Sequence, residues 1–260
     1  CYQKVIYGTE IVLFKEREMA LNRNNLQGDF DPRFKTFHEL MSKKVRDVLL
    51  ISSPYDAWIM EEDCRLSEAI INEYRGLNLS HPPRLHWVST TETVLSDLDQ
   101  KRFDLAIVMP RATDLEAIEI ADQIKANAPK LPIMLLCHQT VFQIGSFPVK
   151  RAILPTERTF VWSGNTDLLL AIIKNTEDQM NVKHDTTVAG IRVIIFVEDS
   201  PDYISVILPL LYKELVRQTQ AVMEEGLNQE HRLLVMRARP KILVAESYEE
   251  ALQLFRRFEP

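Results

Sequence analysis

From residue 45 onward the chain alternates short apolar runs with longer stretches of helical periodicity. Residues 48–51, 85–88, 103–108, 132–137 and 159–162 are apolar and read as strands. Helical patterns lie between them. Residues 56–74 carry Ile59, Leu66 and Ile70 on one face, and further helices are predicted over 91–98, 115–127 and 167–179. Strands this apolar, separated by helices, predict a parallel sheet covered on both faces. Five such units predict an α/β domain with a flavodoxin-like, doubly wound five-stranded parallel sheet. Sites in that fold lie beyond the carboxyl ends of the strands.

The same opening is used twice. Ile51-Ser52-Ser53-Pro54 leads from the first strand into a helix, and Val197-Glu198-Asp199-Ser200-Pro201 does so again later. The second unit continues with a long helix over 203–225, with Ile204, Ile207, Leu208, Leu211 and Leu215 on one stripe. Pro209 predicts either a kink there or a helix that begins there. A strand at 241–244 and a helix at 248–258 follow, so only the first half of a second similar unit is present, with an exposed sheet edge.

Residues 1–45 are expected to form an N-terminal helical arm. Val12, Phe14, Met19 and Leu21 suggest one helix over 10–24. Asp31-Pro32 then caps a second, carrying Phe34, Phe37, Leu40, Met41 and Val45. The expected domains are therefore 1–45, 46–188 and 189–260.

Composition narrows the function. The chain has 260 residues, a net charge of −6 and 46% hydrophobic residues, a globular composition without the basic surface that nucleic acid demands. No apolar run is long enough to span a bilayer and no leader precedes the first helix, so a cytoplasmic protein without a membrane partner is expected. Cys1, Cys64 and Cys137 offer neither a disulfide framework nor a CxxC pair. The seven glycines never cluster, which excludes a phosphate-cradling loop. A start at Cys1 and a stop just after a helical pattern suggest a segment of a longer polypeptide.

The candidate chemistry is that of a two-component receiver. Such a domain holds Mg²⁺ with clustered carboxylates at the carboxyl ends of its strands, and one carboxylate attacks phosphorus. The first unit resembles that layout with its chemical positions altered. Ile51, Ser52 and Ser53 occupy the acidic-pair region, and Met109 stands where the phosphoacceptor Asp would be. Cys137 replaces the hydroxyl residue, and Trp162-Ser163-Gly164 replaces the Lys-Pro corner. Asp104 and Asp114 remain nearby, but Asp104 begins its strand, at the wrong end of the sheet. This unit reads as a pseudo-receiver. In the second unit Glu198 and Asp199 could hold Mg²⁺ only together with downstream residues.

Other candidates have plainer roles. The six histidines form no metal-ligand spacing. Arg232, Arg237, Arg239 and Lys241 are expected on a solvated or intramolecular contact face. Trp58, Trp87 and Trp162 are expected in the core.

The wording around residues 49–56, 160–164, 191–200, 208–215 and 236–243 resembles the N-terminal receiver-like region of proteins classed with phosphoenolpyruvate synthase and pyruvate phosphate dikinase. That resemblance implies a parent that transfers phosphoryl groups between ATP, a histidine and pyruvate with Mg²⁺. It implies no catalytic residue and no cofactor in this segment. The expected function is a non-catalytic regulatory or interaction module. Its partners would be the catalytic domains of the same polypeptide or another protein, or a second copy in a homodimer. The alternative is a working phosphoacceptor in the second unit, served by a histidine kinase.

Overall fold

The computed structural model describes residues 2–7, 10–15, 39–63, 65–76, 82–110, 116–138, 157–224 and 237–258. Five parallel strands lie within one compact unit made of residues 44–176 and 201–214. They are β3 (Asp47–Ile51), β4 (Arg84–Val88), β5 (Leu105–Val108), β6 (Ile133–His138) and β7 (Arg158–Trp162). Their order across the sheet is β4-β3-β5-β6-β7, the flavodoxin-like arrangement anticipated from the pattern. Register is set by Asp47 opposite Arg84, Val48 opposite Leu105, Ala106 opposite Ile133 and Met134 opposite Arg158.

Leu49, Ile51, Ala106, Val108, Ile133, Leu135 and Cys137 form one buried layer with Val94, Ile120 and Ile124. The alternate residues Val48, Leu50, Ile107, Met134 and Leu136 are just as buried, so both faces are covered. Each such aliphatic side chain contributes about 1.5–3 kcal/mol by leaving water.

Helices follow the strands closely. Ser53 caps α1 (Pro54–Trp58), with proline in the first turn. A π-helical turn (Ile59–Asp63) succeeds it, and Arg65 at φ +47 precedes α2 (Leu66–Gly76). The single helix expected over 56–74 is therefore broken, and Met60 rather than Ile59 joins Leu66 and Ile70 in the core. Thr90 caps α3 (Thr91–Gln100), and α4 is Glu116–Asn127. The next helix, α5 (Thr166–Ala189), outruns its expected end at 179 by ten residues. Gly190 terminates it at φ +61, with Gly190 N–H donating to the Thr186 carbonyl and Ile191 N–H to that of Asp185.

Pro209 neither starts nor ends α6, which runs unbroken as Pro201–Glu224. Ser205 in this helix accepts a hydrogen bond from the Val161 N–H at 2.7 Å and donates to the Pro201 carbonyl at 2.6 Å. One outward donor of the β7 edge is thereby satisfied by a side chain.

The other compact unit comprises residues 1–43, 177–200 and 215–260. It holds the parallel pair β8 (Val193–Val197) and β9 (Lys241–Ala245), with α7 (Tyr248–Phe258) after them. It also holds an antiparallel hairpin, β1 (Tyr2–Tyr7) and β2 (Glu10–Lys15), in place of the helix expected from residue 10. The reason lies in Val5-Ile6 and Ile11-Val12, β-branched pairs on either side of Gly8-Thr9, a two-residue link led by glycine. The rest of the expected arm, residues 16–38, lies outside the described residues. Its second helix does not reach Val45: Met41 stands at φ +50 and residues 42–46 are not helical.

Charge is buried in this unit. Asp178, Asn181 and Asp185 share one face of α5. Asp178 receives both terminal nitrogens of Arg239, at 2.9 and 2.8 Å, and the Ile242 N–H at 3.0 Å. Asp185 takes the Lys241 ammonium at 3.1 Å and the Met41 N–H at 3.2 Å. Asn181 pairs with both backbone groups of Lys43. Burial and the neighbouring Arg239 push the Lys241 pKa down, while Asp178 and Asp185 pull it partly back. Half of the basic cluster thus proves intramolecular; Arg232 lies outside the described residues.

Asp178→Ala leaves Arg239 buried without its carboxylate, and a loss of about 3–5 kcal/mol is expected in urea denaturation. Replacing both partners with apolar residues of similar size should cost much less than the single change. Equal losses would show that the pair is not what holds this unit.

Candidate functional site

The strand order reverses between β3 and β5, so the crevice available to a ligand lies at their carboxyl ends. Ser53 and Asp56 form a closed ring there. The Asp56 N–H donates to the Ser53 hydroxyl oxygen at 3.1 Å, and that hydroxyl donates to Asp56 Oδ2 at 2.6 Å. A carboxylate in the first turn of α1 also faces the positive end of the helix. His138, ending β6, places Nε2 3.0 Å from Asp56 Oδ1, and because a carboxylate only accepts, Nε2 is the donor. β3 and β6 are separated by β5, about 9.6 Å at normal strand spacing. The Asp56–His138 bond therefore joins the helix that follows β3 to the end of β6.

Met109, directly after β5, is buried, and its N–H donates to the Ile51 carbonyl at 2.8 Å. Cys137 is wholly buried, and burial pushes its thiol up to about 12. Ser52, also buried, accepts the Trp87 indole N–H at 2.9 Å and donates to the Ser53 carbonyl at 3.2 Å. Ser163 is exposed after β7, and the following Gly164 takes φ +85, a conformation glycine adopts without strain. Ser52, Ser53, Met109, Cys137 and Ser163 thus all fall at the carboxyl ends of strands.

Asp104 sits at the amino end of the sheet, as anticipated, where Oδ2 accepts the backbone N–H groups of Arg46 and Asp47. Asp47 beside it accepts from His86 and pairs with Arg84. Burial raises the Asp47 pKa, but the His86 hydrogen bond and the Arg84 charge outweigh it and hold the carboxyl below its ordinary value of 3.8. Asp114 lies outside the described residues.

This donor set does not fit Mg²⁺, which needs several oxygen ligands around an octahedron. Among the described residues at the carboxyl ends, Asp56 is already bound to Ser53 and His138, and Glu92 and Asp167 lie exposed in the first turns of α3 and α5. In the second unit Glu198 is buried and turns Oε1 back to the Ser200 N–H at 2.8 Å, whereas Asp199 is exposed. Among the described residues no group of three His, Cys, Asp or Glu could hold a metal ion.

The Asp56–His138 pair was not anticipated, although Ser53 three residues before Asp56 is a helix-cap signature. Two of the tryptophans expected in the core are on the surface: Trp58 is 56% and Trp87 43% exposed, while Trp162 is buried. The indole of Trp87 needs a hydrogen-bond acceptor, and the strand-end hydroxyl of Ser52 provides one. Tyr55, 69% exposed, joins Trp58 on α1, i and i+3 on one helix face.

No protein-family model matches this chain, and no curated protein matches it. Among solved structures it is similar to a CheY-like response regulator receiver domain protein from Methanospirillum hungatei JF-1. The identity is 14%, over 54% of this chain and 99% of that one, with a TM-score of 0.38. It is also similar to the response regulator TrrA from Thermotoga maritima in complex with Mg(2+)-BeF, at 18% identity, 52% and 99% coverage and a TM-score of 0.36. The complex of histidine kinase ThkA with TrrA matches at 16% identity, 50% and 97% coverage and a TM-score of 0.37. The fold assignment rests on the strand order of this chain. Among the described residues no helix is long and apolar enough to cross a membrane.

With Cys1 and Cys64 replaced by serine, Cys137 should resist a thiol reagent at pH 8 and react only in denaturant. Rapid labelling in native buffer would contradict its burial. Asp47, its folded pKa depressed, contributes stability above the ordinary carboxylate range and loses it as pH falls through the folded value. The stability difference between wild type and Asp47→Asn, from paired thermal melts, should therefore be full at neutral pH and shrink below about pH 4.

Proposed function

We propose that the five-stranded unit is a degenerate receiver, a recognition module without phosphoacceptor chemistry, serving a larger phosphotransferase. The observations that carry this reading are the Asp56–His138 hydrogen bond and the buried Met109 that follows β5. Phosphoryl transfer to such a sheet needs carboxylates converging on a metal, and one of them must attack phosphorus. The central strand here is followed by a thioether, its neighbour β6 carries a buried thiol, and the Asp56 carboxylate already has partners. Satisfied polar groups of this kind hold a shape.

The surface beside them is apolar. Tyr55, Trp58 and Trp87 stand exposed around the carboxyl end of β3, and large aromatics dominate the energetics of protein interfaces. This favours a protein partner, either the catalytic part of the same polypeptide or another protein. The phosphoenolpyruvate synthase and pyruvate phosphate dikinase connection rests on the sequence resemblance alone. Domain limits at 1–45, 46–188 and 189–260 rest on the strand–helix pattern and on the repeated strand–Ser-Pro opening. The second reading, a phosphoacceptor in the later unit, draws on Glu198 and Asp199, which follow β8.

Incubation of the chain with acetyl phosphate and Mg²⁺ is expected to leave its intact mass unchanged. An adduct mapped to residues 46–188 would sink the proposal. An adduct lost on Glu198→Ala or Asp199→Ala would instead establish the second reading.

A further inference from the structure

The first turns of α6 are apolar on more than one side. From Tyr203 to Tyr212 the sequence reads Tyr-Ile-Ser-Val-Ile-Leu-Pro-Leu-Leu-Tyr. Ile204, Leu208 and Tyr212, at i, i+4 and i+8, are buried within the five-stranded unit, and Ser205 binds the β7 edge from the same side. Tyr203, Val206 and Leu210, at i, i+3 and i+7, form a second stripe, and each is about 60% exposed. A helix apolar all round belongs in an interior. A stripe at this spacing is also the seam by which one helix packs on another.

The charges at the ends of the stripe identify its occupant. Asp202 lies at the amino end and Lys213 at the carboxyl end. An antiparallel copy of the same helix reverses that order. A two-fold axis through the middle of the stripe sets Tyr203 of one copy against Leu210 of the other. It also brings Asp202 within two residues of the level of Lys213, about 3 Å along the axis and within reach of a lysine side chain. The helix dipoles oppose each other favourably in that arrangement. We propose that the Tyr203–Val206–Leu210 stripe is an isologous, antiparallel helix–helix interface between two copies of this chain, closed at each end by Asp202 and Lys213.

Sedimentation velocity of the 260-residue chain over a concentration series tests this. Wild type is expected to dimerise, and Leu210→Glu to weaken the dimer about 10-fold or more. That site is exposed, so far-UV circular dichroism should be unchanged. Asp202→Lys and Lys213→Glu should each weaken association, and the double reversal should restore it, because the pair meets across the axis. A wild type that stays monomeric up to about 100 μM, weaker than functional association requires, overturns the proposal and leaves the stripe to a different protein. So does a dimer indifferent to Leu210→Glu, or charge reversals that fail to compensate.

Discussion

A parallel strand buried on both faces has no side on which to carry a polar group, and that constraint distributes the chemistry of this protein. β5 is four residues long, and all four are buried. Polar function is therefore pushed to the strand ends. At the amino ends Asp47 and Asp104 engage Arg84, His86 and backbone N–H groups. At the carboxyl ends Ser52, Ser53, Asp56 and His138 form a connected set with Trp87. The two sets stand at opposite ends of one sheet, and only the second lies at the crevice where the strand order reverses.

The chain's other compact unit solves a different problem. Its strand pair is small, and it buries ionised groups against one another. Asp178 accepts a hydrogen bond from Arg239 and lies 2.8 Å from its second terminal nitrogen, which ties the start of β9 to the middle of α5. Ion pairs of this sort weakly favour stability but strongly penalise any arrangement that separates the partners. They act here as a registration device.

Elements whose pattern is fixed by neighbours in sequence were legible. The five strands fell within a residue or two of their places, and the helix at 248–258 had its expected bounds. Tertiary context decided the rest. The extension of α5 beyond 179 follows from Asp178, Asn181 and Asp185, polar residues that break an apolar stripe yet are buried because partners distant in sequence meet them. Trp58 and Trp87 were read inward on hydrophobicity alone. The Asp56–His138 contact joins residues 82 apart, on elements that only the tertiary fold brings together. The places of Ser52, Met109 and Cys137 at the carboxyl ends of strands were legible, since each directly follows or ends an apolar run. The hairpin at the amino terminus was missed because Val12 and Phe14 suit a strand as well as a helix.

The carboxylate of Asp185 gathers the Met41 N–H and the Lys241 ammonium, and the former lies 144 positions away along the chain. Closing contacts over such distances spends chain entropy before any of them is rewarded. This unit is therefore expected to assemble after segments from the early, middle and late parts of the sequence have come together, whereas the five-stranded sheet can grow from one βα step to the next.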